Sequence, residues 1–220
     1  NNMEDEVTGK AHGILFFNTL AFTVCFSAWM LNGTLVSYLV DNHIFEWSSV
    51  QIGWLLGLPV LTGSIFRLPA GLLTDRYGGR YVYSLLMLIS AIPMFLLSFA
   101  DSYFVFLLCS FGFGLTGASF AVGVAYTSVW YPAKWQGTAL GIFGLGNLGA
   151  ALTTLISPSA LQFLTDSGKN LDQWRLLPTI YAVILLLMVV IFYLFTENKK
   201  PQRTEKKFIQ LLEPLRNLRV

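Results

Sequence analysis

Charged side chains are scarce in this chain. Asp, Glu, Lys and Arg make up 12% of its 220 residues, about half of the share that is usual in soluble globular domains. Between residues 13 and 73 the only side chains of these types or of His are Asp41, His43, Glu46 and Arg67. Because 55% of the residues are hydrophobic and the mean hydropathy is +0.61, the chain cannot solvate an ordinary protein surface. These shortages exclude soluble enzymes and nucleic-acid-binding domains and indicate an integral membrane protein.

Cysteine and histidine are equally rare, with two of each. Cys25 and Cys109 lie within apolar runs, where a thiol behaves as a small hydrophobic group, and no His or Cys stands at the spacing of metal ligands. His12 and His43 lie at or beyond the edges of apolar segments, so neither could act as the base that a serine nucleophile inside the membrane needs. We therefore expect no disulfide framework, no metal, no other cofactor and no enzymatic activity.

Six apolar segments are each long enough to cross a bilayer as a helix, which takes about 20 residues. They cover residues 13–40, 49–73, 81–99, 103–130, 138–161 and 175–195. The connections are short, so consecutive segments are expected to run antiparallel, and the absence of period-two alternation argues against strands. The sequence thus predicts an all-α membrane protein: a six-transmembrane-helix bundle over residues 13–195, preceded by a short N-terminal segment, 1–12.

The distribution of Lys and Arg predicts the orientation of the bundle. With the N-terminus inside, 11 of the 14 basic residues lie on the inner side, and the outer loops carry mainly Asp and Glu. Because basic residues collect on the cytoplasmic side, both termini are expected there, in a multi-pass protein of the cell (inner) membrane.

Residues 196–220 form a basic tail of different character. Lys and Arg are frequent over residues 199–207, and apolar residues recur over residues 208–218, interrupted by Pro214. This pattern is typical of an amphipathic linker that lies on the inner leaflet and contacts anionic membrane lipids. A plain solvated linker is the alternative.

The loop between the second and third segments, residues 71–80, reads GLLTDRYGGR. Its glycines allow a tight turn, and its carboxylate and two guanidiniums can join helix ends by charge-assisted hydrogen bonds; a generic charged loop is the alternative. The string resembles the conserved Gly-x-Leu-x-Asp-x-x-Gly-x-Arg loop of the major facilitator superfamily. By that resemblance the loop is a conformational latch whose members are Gly71, Asp75, Arg76, Gly78 and Arg80.

The resemblance covers the chain only as the N-terminal half of such a transporter. The superfamily has twelve helices in two six-helix bundles that hold substrate between them at the membrane midplane and work by alternating access. It therefore implies a second six-helix bundle, supplied either by a missing C-terminal half or by a partner chain.

Arg67 is the one full charge well inside a predicted span, in the string SIFRLP of residues 64–69. It lies eight residues before Asp75, roughly 12 Å in from the loop. A central Arg is costly to insert and usually faces an internal cavity; the alternative is that its long stem reaches the inner interface. A guanidinium fork suits a small planar oxyanion better than an ammonium does.

The fifth segment carries the string GLGNLG over residues 144–149. Close approach of another helix is the favoured explanation of its glycines, but packing does not explain the amide of Asn147. The string resembles the nitrate signature of the nitrate/nitrite porter family, and the FRLP context of Arg67 resembles the second helix of that family.

The second resemblance implies a substrate site. Arg67 is its main anion ligand, Asn147 is a hydrogen-bond donor, and Phe120 is an aromatic residue that sandwiches the planar anion, although ordinary packing also explains Phe120. Asn32 stands in the first helix where the family often has Phe, which is a departure from the pattern. The glycines of the same site are Gly144, Gly146 and Gly149.

The resulting hypothesis is a half-transporter for nitrate and nitrite. No Asp, Glu or His lies in the interior of the six predicted spans, which favours nitrate/nitrite antiport over coupling to protons. The alternatives are a facilitator for another substrate, such as an organic anion, a sugar or a drug, and a half-size membrane subunit that does not transport.

Overall fold

The structure is a computed structural model that describes residues 8–201. Six helices are long and apolar enough to cross a membrane, and the described part of the chain contains no strand. The all-α, six-helix prediction is confirmed. The helices are α1 (Gly9–Asp41), α2 (Ser49–Tyr77), α3 (Gly79–Leu97), α4 (Tyr103–Trp130), α5 (Ala133–Leu164) and α6 (Leu171–Phe195).

Several helices extend beyond the apolar segments that predicted them. α1 begins four residues early, at Gly9, α2 continues to Tyr77, and α5 begins at Ala133, directly after Pro132. Apolar length measures only the part of a helix that lies in hydrocarbon. The polar ends remain helical outside that layer, so the helix lengths predicted from apolar residues were too short.

Two helices change their winding in the middle, which the sequence pattern did not predict. α4 contains a 3₁₀ turn at Gly114–Ala118, and α5 contains one at Leu145–Asn147. Both turns lie in glycine-containing stretches. A 3₁₀ turn has tighter winding and poorer hydrogen-bond geometry than an α-helix and often marks a functional position within a long helix.

The six helices are buried to different extents. In the apolar windows of α1 and α4, 50% and 56% of the residues are buried, whereas the values for α2 and α5 are 22% and 28%. α3 packs along α6, and α1 packs along α5. The core of the bundle is therefore built around α1 and α4, and α2 and α5 leave large faces uncovered.

Both ends of the described chain lie at the same end of the bundle, here called the terminal end. The ammonium of Lys10 pairs with the Glu197 carboxylate at 2.8 Å. The Asn198 amide donates to the carbonyl oxygen of Tyr77 at 2.9 Å, and the Tyr126 hydroxyl donates to the Glu197 carbonyl. The segment after α6 is thus tied to α1, α2 and α4.

The opposite end of the bundle is tied by Arg175. Its guanidinium donates to the Asp101 carboxylate at 2.6 Å and to the carbonyl oxygen of Ser98 at 3.0 Å. Residues 196–201 are not helical, and the amphipathic tail pattern of residues 202–220 lies outside the described residues.

Candidate functional site

Arg67 lies on α2, half-buried, and faces α4. Its Nε donates to the carbonyl oxygen of Gly117 at 3.3 Å, and its guanidinium carbon lies 5.7 Å from the centre of the Phe120 ring. Within residues 8–201 no carboxylate pairs with it and no other hydrogen bond to it is made. Its two Nη groups are therefore available to a ligand, and the cation–π contact with Phe120 holds the guanidinium beside an aromatic face.

The backbones of α2 and α4 touch at the level of this site. A Cβ on Gly63 would lie 3.0 Å from the carbonyl oxygen of Gly114, and a Cβ on Gly114 would lie 2.8 Å from the Cα of Pro59. A side chain at position 114 would force the backbone of α2 to shift, and one at position 63 would be tighter than an ordinary contact, so glycine favours the close approach at both positions. This close approach brings the 3₁₀ turn of α4, and with it the Gly117 carbonyl, within reach of Arg67.

Aromatic rings surround the Phe120 side of the site. The Phe120 ring centre lies 5.8 Å from that of Phe22 on α1 and 6.1 Å from that of Phe143 on α5. Phe22 contacts Phe26, and Phe26 contacts Trp29, with ring centres 4.3 Å and 5.1 Å apart. Phe120, the ring beside the guanidinium, is therefore packed against a connected set of aromatic residues on α1 and α5.

Trp29 is the aromatic residue of α1 that lies nearest to the backbone acceptor of Arg67. A Cβ on Gly117 would lie 2.9 Å from Cε2 of the indole, so the ring packs directly on that residue. Sequence reasoning expected an aromatic residue of the first helix near the site, in the region of Trp29, but missed Phe22 and Phe26. The spacing of four and then three residues from Phe22 to Trp29 places all three on one helix face, and that spacing was the signal available in the sequence.

Asn32 lies between three helices. The side chain is buried; its amide nitrogen donates to the carbonyl oxygen of Leu55 at 2.6 Å, and its amide oxygen accepts from the Ser110 hydroxyl at 3.3 Å. Both amide atoms are therefore used between α1, α2 and α4. Asn32 therefore links three helices in this structure, and its assignment to the substrate site stays a prediction.

Asn147 lies at the end of the 3₁₀ turn of α5, and its side chain is exposed. Its amide nitrogen donates to the carbonyl oxygen of Gly144 on the same turn at 2.9 Å. The adjacent Gly146 packs against the ring of Phe22, which connects this turn to the aromatic set around Phe120. Within residues 8–201 the Asn147 side chain makes no hydrogen bond to another helix, and its exposure leaves it accessible to a ligand.

The three glycines of the α5 string have different surroundings. A Cβ on Gly146 would overlap the Phe22 ring, and a Cβ on Gly149 would lie 2.9 Å from Ser27 Oγ and overlap the carbonyl oxygen of Thr23. Nothing lies within 4 Å of the corresponding position on Gly144. Gly146 and Gly149 therefore pack α5 on α1, and Gly144 is the one of the three bordered by open space. The assignment of these glycines to the substrate site stays a prediction.

The loop predicted as a latch joins α2, α3 and α6. Gly78 has φ +93° and ψ 152°, a conformation that is essentially restricted to glycine. The Arg80 guanidinium donates to the carbonyl oxygen of Tyr193 and lies 4.1 Å from the centre of its ring.

The other latch residues are on the last two turns of α2. Arg76 lies over the Tyr77 ring, with 5.4 Å between the guanidinium carbon and the ring centre. Asp75 is exposed on the same turn, and Gly71 is bordered by open space. The loop therefore ends α2, starts α3 and fixes both to α6.

These features define a class of protein: a membrane-spanning helical bundle that carries a guanidinium within the described part of α2, beside uncovered helix faces. The family model described as Major Facilitator Superfamily matches residues 17–220. The chain belongs to that superfamily. A solved structure with the same fold, a bacterial homologue of the human lysosomal transporter Spinster in an inward-facing and unoccupied conformation, gives a TM-score of 0.68 at 21% identity and covers 94% of this chain and 48% of its own.

Curated relatives carry nitrate or nitrite in their names. The chain is 42% identical to a probable nitrate/nitrite antiporter, NarK1, of Thermus thermophilus over 94% of its length and 47% of that protein. It is 31% identical to the nitrite extrusion protein of Bacillus subtilis, over 90% of this chain and 46% of that one. A probable nitrate transporter, NarT, of Staphylococcus carnosus is 28% identical, over 93% and 50%. The predicted resemblance to the nitrate/nitrite porters is confirmed, and the chain spans about half the length of these relatives.

Proposed function

We propose that this chain forms one half of a secondary transporter that exchanges nitrate and nitrite by alternating access. The observation that carries the proposal is the half-buried guanidinium of Arg67, which has no carboxylate partner among residues 8–201 and leaves both Nη groups for a ligand. The names of the relatives supply the substrate class. The second six-helix bundle comes from the rest of the polypeptide or from a partner chain, and it covers the open faces of α2 and α5.

The chemistry of the site favours a small planar monoanion. Removing such an anion from water is expensive, and a cation with directed N–H donors offsets that cost. The guanidinium of Arg67 can donate two parallel hydrogen bonds to two oxygens of nitrate or nitrite. The Phe120 ring lies along the guanidinium and excludes water from one side, while Asn147 supplies a neutral donor from α5.

A positive group from the second bundle, opposite Arg67, completes the charge balance in this proposal. Without an anion, the two cations would repel each other and oppose closure of the bundles around an empty site. With an anion, the repulsion is relieved and the bundles can rock. This coupling between occupancy and movement favours exchange of one anion for another over uniport.

The titratable groups of the described helices also support exchange. Arg67 is the one charged residue in the interior of the described spans; all others lie near helix ends. A proton relay needs a titratable group beside the substrate, and this half offers no carboxylate or imidazole there. We infer as well that both termini lie in the cytoplasm of a cell whose inner membrane holds the protein, because 11 of the 14 basic residues then lie inside.

Substitution of Arg67 tests the proposal. In the complete transporter in proteoliposomes, Arg67→Lys keeps the charge but loses the two-pronged donor, so nitrate uptake into nitrite-loaded vesicles should show an at least tenfold higher KM, the equivalent of about 1.4 kcal/mol. Arg175→Lys, the same change at the far end of the bundle, is the matched control and should leave KM unchanged. Uptake with unaltered KM in Arg67→Lys would refute the two-pronged contact.

The exchange mode needs a separate measurement. Vesicles loaded with nitrite, vesicles without an internal anion and vesicles with an imposed pH gradient are compared for uptake of labelled nitrate. Exchange predicts fast uptake only with internal nitrite or nitrate. Uptake of nitrate driven by the pH gradient alone would favour a proton-coupled transporter. If nitrate failed to compete with an organic anion for uptake, that result would favour a different substrate.

A further inference from the structure

A proline interrupts the hydrogen-bonding of α2 two turns before Arg67. Pro59 has no backbone N–H, so the carbonyl oxygen of Leu55, four residues earlier, lacks its donor within the helix. The amide nitrogen of Asn32 donates to that same carbonyl at 2.6 Å. The indole N–H of Trp29 donates to the carbonyl oxygen of Pro59 itself at 3.1 Å. Trp29 and Asn32 are three positions apart and lie on one face of α1. Both therefore donate hydrogen bonds to the turn of α2 that contains Pro59.

Among the four prolines inside α2, α3 and α5, only Pro59 is compensated in this way. Pro69, Pro93 and Pro158 also lie inside described helices and also remove a donor from the carbonyl four residues before them. Across residues 8–201, no side chain donates to any of those three carbonyls, whereas Leu55 receives the buried amide of Asn32. The amide is oriented by the Ser110 hydroxyl, which donates to its oxygen at 3.3 Å.

The proline turn is connected to Arg67 through backbone contacts. A Cβ on Gly114 would lie 2.8 Å from the Cα of Pro59, and the indole of Trp29 packs on Gly117. The carbonyl oxygen of Gly117 accepts the hydrogen bond from Arg67 Nε. A change in the direction of α2 at Pro59 would therefore move Arg67 relative to the acceptor that holds it.

We propose that Asn32 and Trp29 are positioning residues for Arg67. Asn32 replaces the hydrogen bond that Pro59 removes, Trp29 donates to the carbonyl oxygen of Pro59, and together they fix the α2 segment against the 3₁₀ turn of α4. Asn32 acts on the anion only through this arrangement. The proposal rests on the proposed function in one respect, namely that Arg67 binds nitrate.

The first experiment measures nitrate affinity in the complete, detergent-purified transporter. Asn32→Leu keeps the approximate size of the side chain but removes the donor, so the carbonyl of Leu55 is left without a partner and α2 shifts. We expect the Kd for nitrate to rise about tenfold. Asn18→Leu is the matched control, because Asn18 is an equally buried amide of α1 that donates to Gly123 and Thr127 of α4 and makes no hydrogen bond to α2; its Kd should equal that of the parent protein.

The second experiment separates positioning from general destabilisation. Pro59→Ala restores the backbone N–H that the Leu55 carbonyl lacks, so Asn32 is no longer needed there. In the Pro59→Ala background, Asn32→Leu should change the Kd by less than about twofold. A tenfold effect of Asn32→Leu that persists in this background would overturn the proposal, because it would mean that the amide acts on the anion or on stability by another route.

A structural readout without anion distinguishes this proposal from the proposed function. Spin labels at Leu68 on α2 and Leu88 on α3, both exposed, report the position of the segment that carries Arg67. Asn32→Leu should shift the distance distribution, and Asn18→Leu should not. A shift in a protein that binds no nitrate would support the positioning role and reject the proposed function; an unshifted distance and an unchanged Kd would reject the positioning role.

If Asn32→Leu does not fold, a milder variant tests the same proposal. Ser110→Ala removes only the hydrogen bond that orients the Asn32 amide. It should raise the Kd for nitrate about threefold. This corresponds to half of the change in binding free energy that the tenfold rise for loss of the amide represents. An unchanged Kd in Ser110→Ala, together with an unchanged label distance, would count against the proposal.

Discussion

Gly149→Ala should destabilise the bundle, whereas Gly144→Ala, one helical turn and a half away on α5, should not. The added methyl group on Gly149 would lie 2.9 Å from Ser27 Oγ and would overlap the carbonyl oxygen of Thr23. The second contact is with backbone, which cannot rotate away, so α1 and α5 must separate. The hydroxyl of Ser27, which donates to the Gly149 carbonyl at 2.9 Å, would lose that hydrogen bond.

The size of the effect follows from three contributions. Overpacking costs about 1–3 kcal/mol, and loss of the hydrogen bond costs about 0.5–1.5 kcal/mol. Replacing glycine by alanine in a helix returns up to about 1 kcal/mol. The free energy of unfolding should therefore fall by about 0.5–4.5 kcal/mol, which lowers Tm by roughly 1–18 °C for a domain of this size.

The assay is thermal unfolding of the purified protein in one detergent, with nitrate uptake measured in parallel. Gly144→Ala adds the same methyl group where nothing lies within 4 Å, so its Tm should equal or slightly exceed that of the parent. If Gly149→Ala unfolded at the temperature of the parent protein, the close contact between α1 and α5 would be refuted. If Gly144→Ala lost uptake at an unchanged Tm, that glycine would belong to the substrate path.

Two further predictions concern Phe120 and Gly78. Phe120→Leu removes the ring whose centre lies 5.7 Å from the Arg67 guanidinium carbon. The KM for nitrate should rise about two- to tenfold, because a cation–π contact contributes about 0.5–1 kcal/mol at exposed sites and more when it is desolvated. An unaltered KM in the uptake assay would indicate a packing role alone. Gly78→Ala forces alanine into φ +93° against the Asn198 side chain and should cost about 1–3 kcal/mol, seen as a lower Tm. Gly71→Ala, in open space, is its control, and equal Tm values for the two variants would contradict the strain argument.

Some features of the candidate site could be predicted from the sequence, and others could not. The distance of Arg67 from the loop and its isolation from other charges followed from the sequence, because both depend on helical rise and composition along one segment. The role of Asn32 did not follow, because its partners, Leu55 and Ser110, are 23 and 78 residues away. A pattern along α1 places Trp29 and Asn32 on one face, but it does not reveal which helix that face meets.

The sequence by itself determined the number of spans, the helical class, the superfamily loop and the place of a lone guanidinium within α2. The spans, the helical class and the place of Arg67 depend on the residues of single segments, and the loop was recognised from its motif, so none of them required knowledge of how the helices pack. Only the tertiary structure decided that Gly146 and Gly149 pack on α1 while Gly144 stays open, that the Gly117 carbonyl meets Arg67, and that α1 supplies a donor where Pro59 removes one. Those outcomes depend on the register between neighbouring helices, which is set by the joint packing of all six.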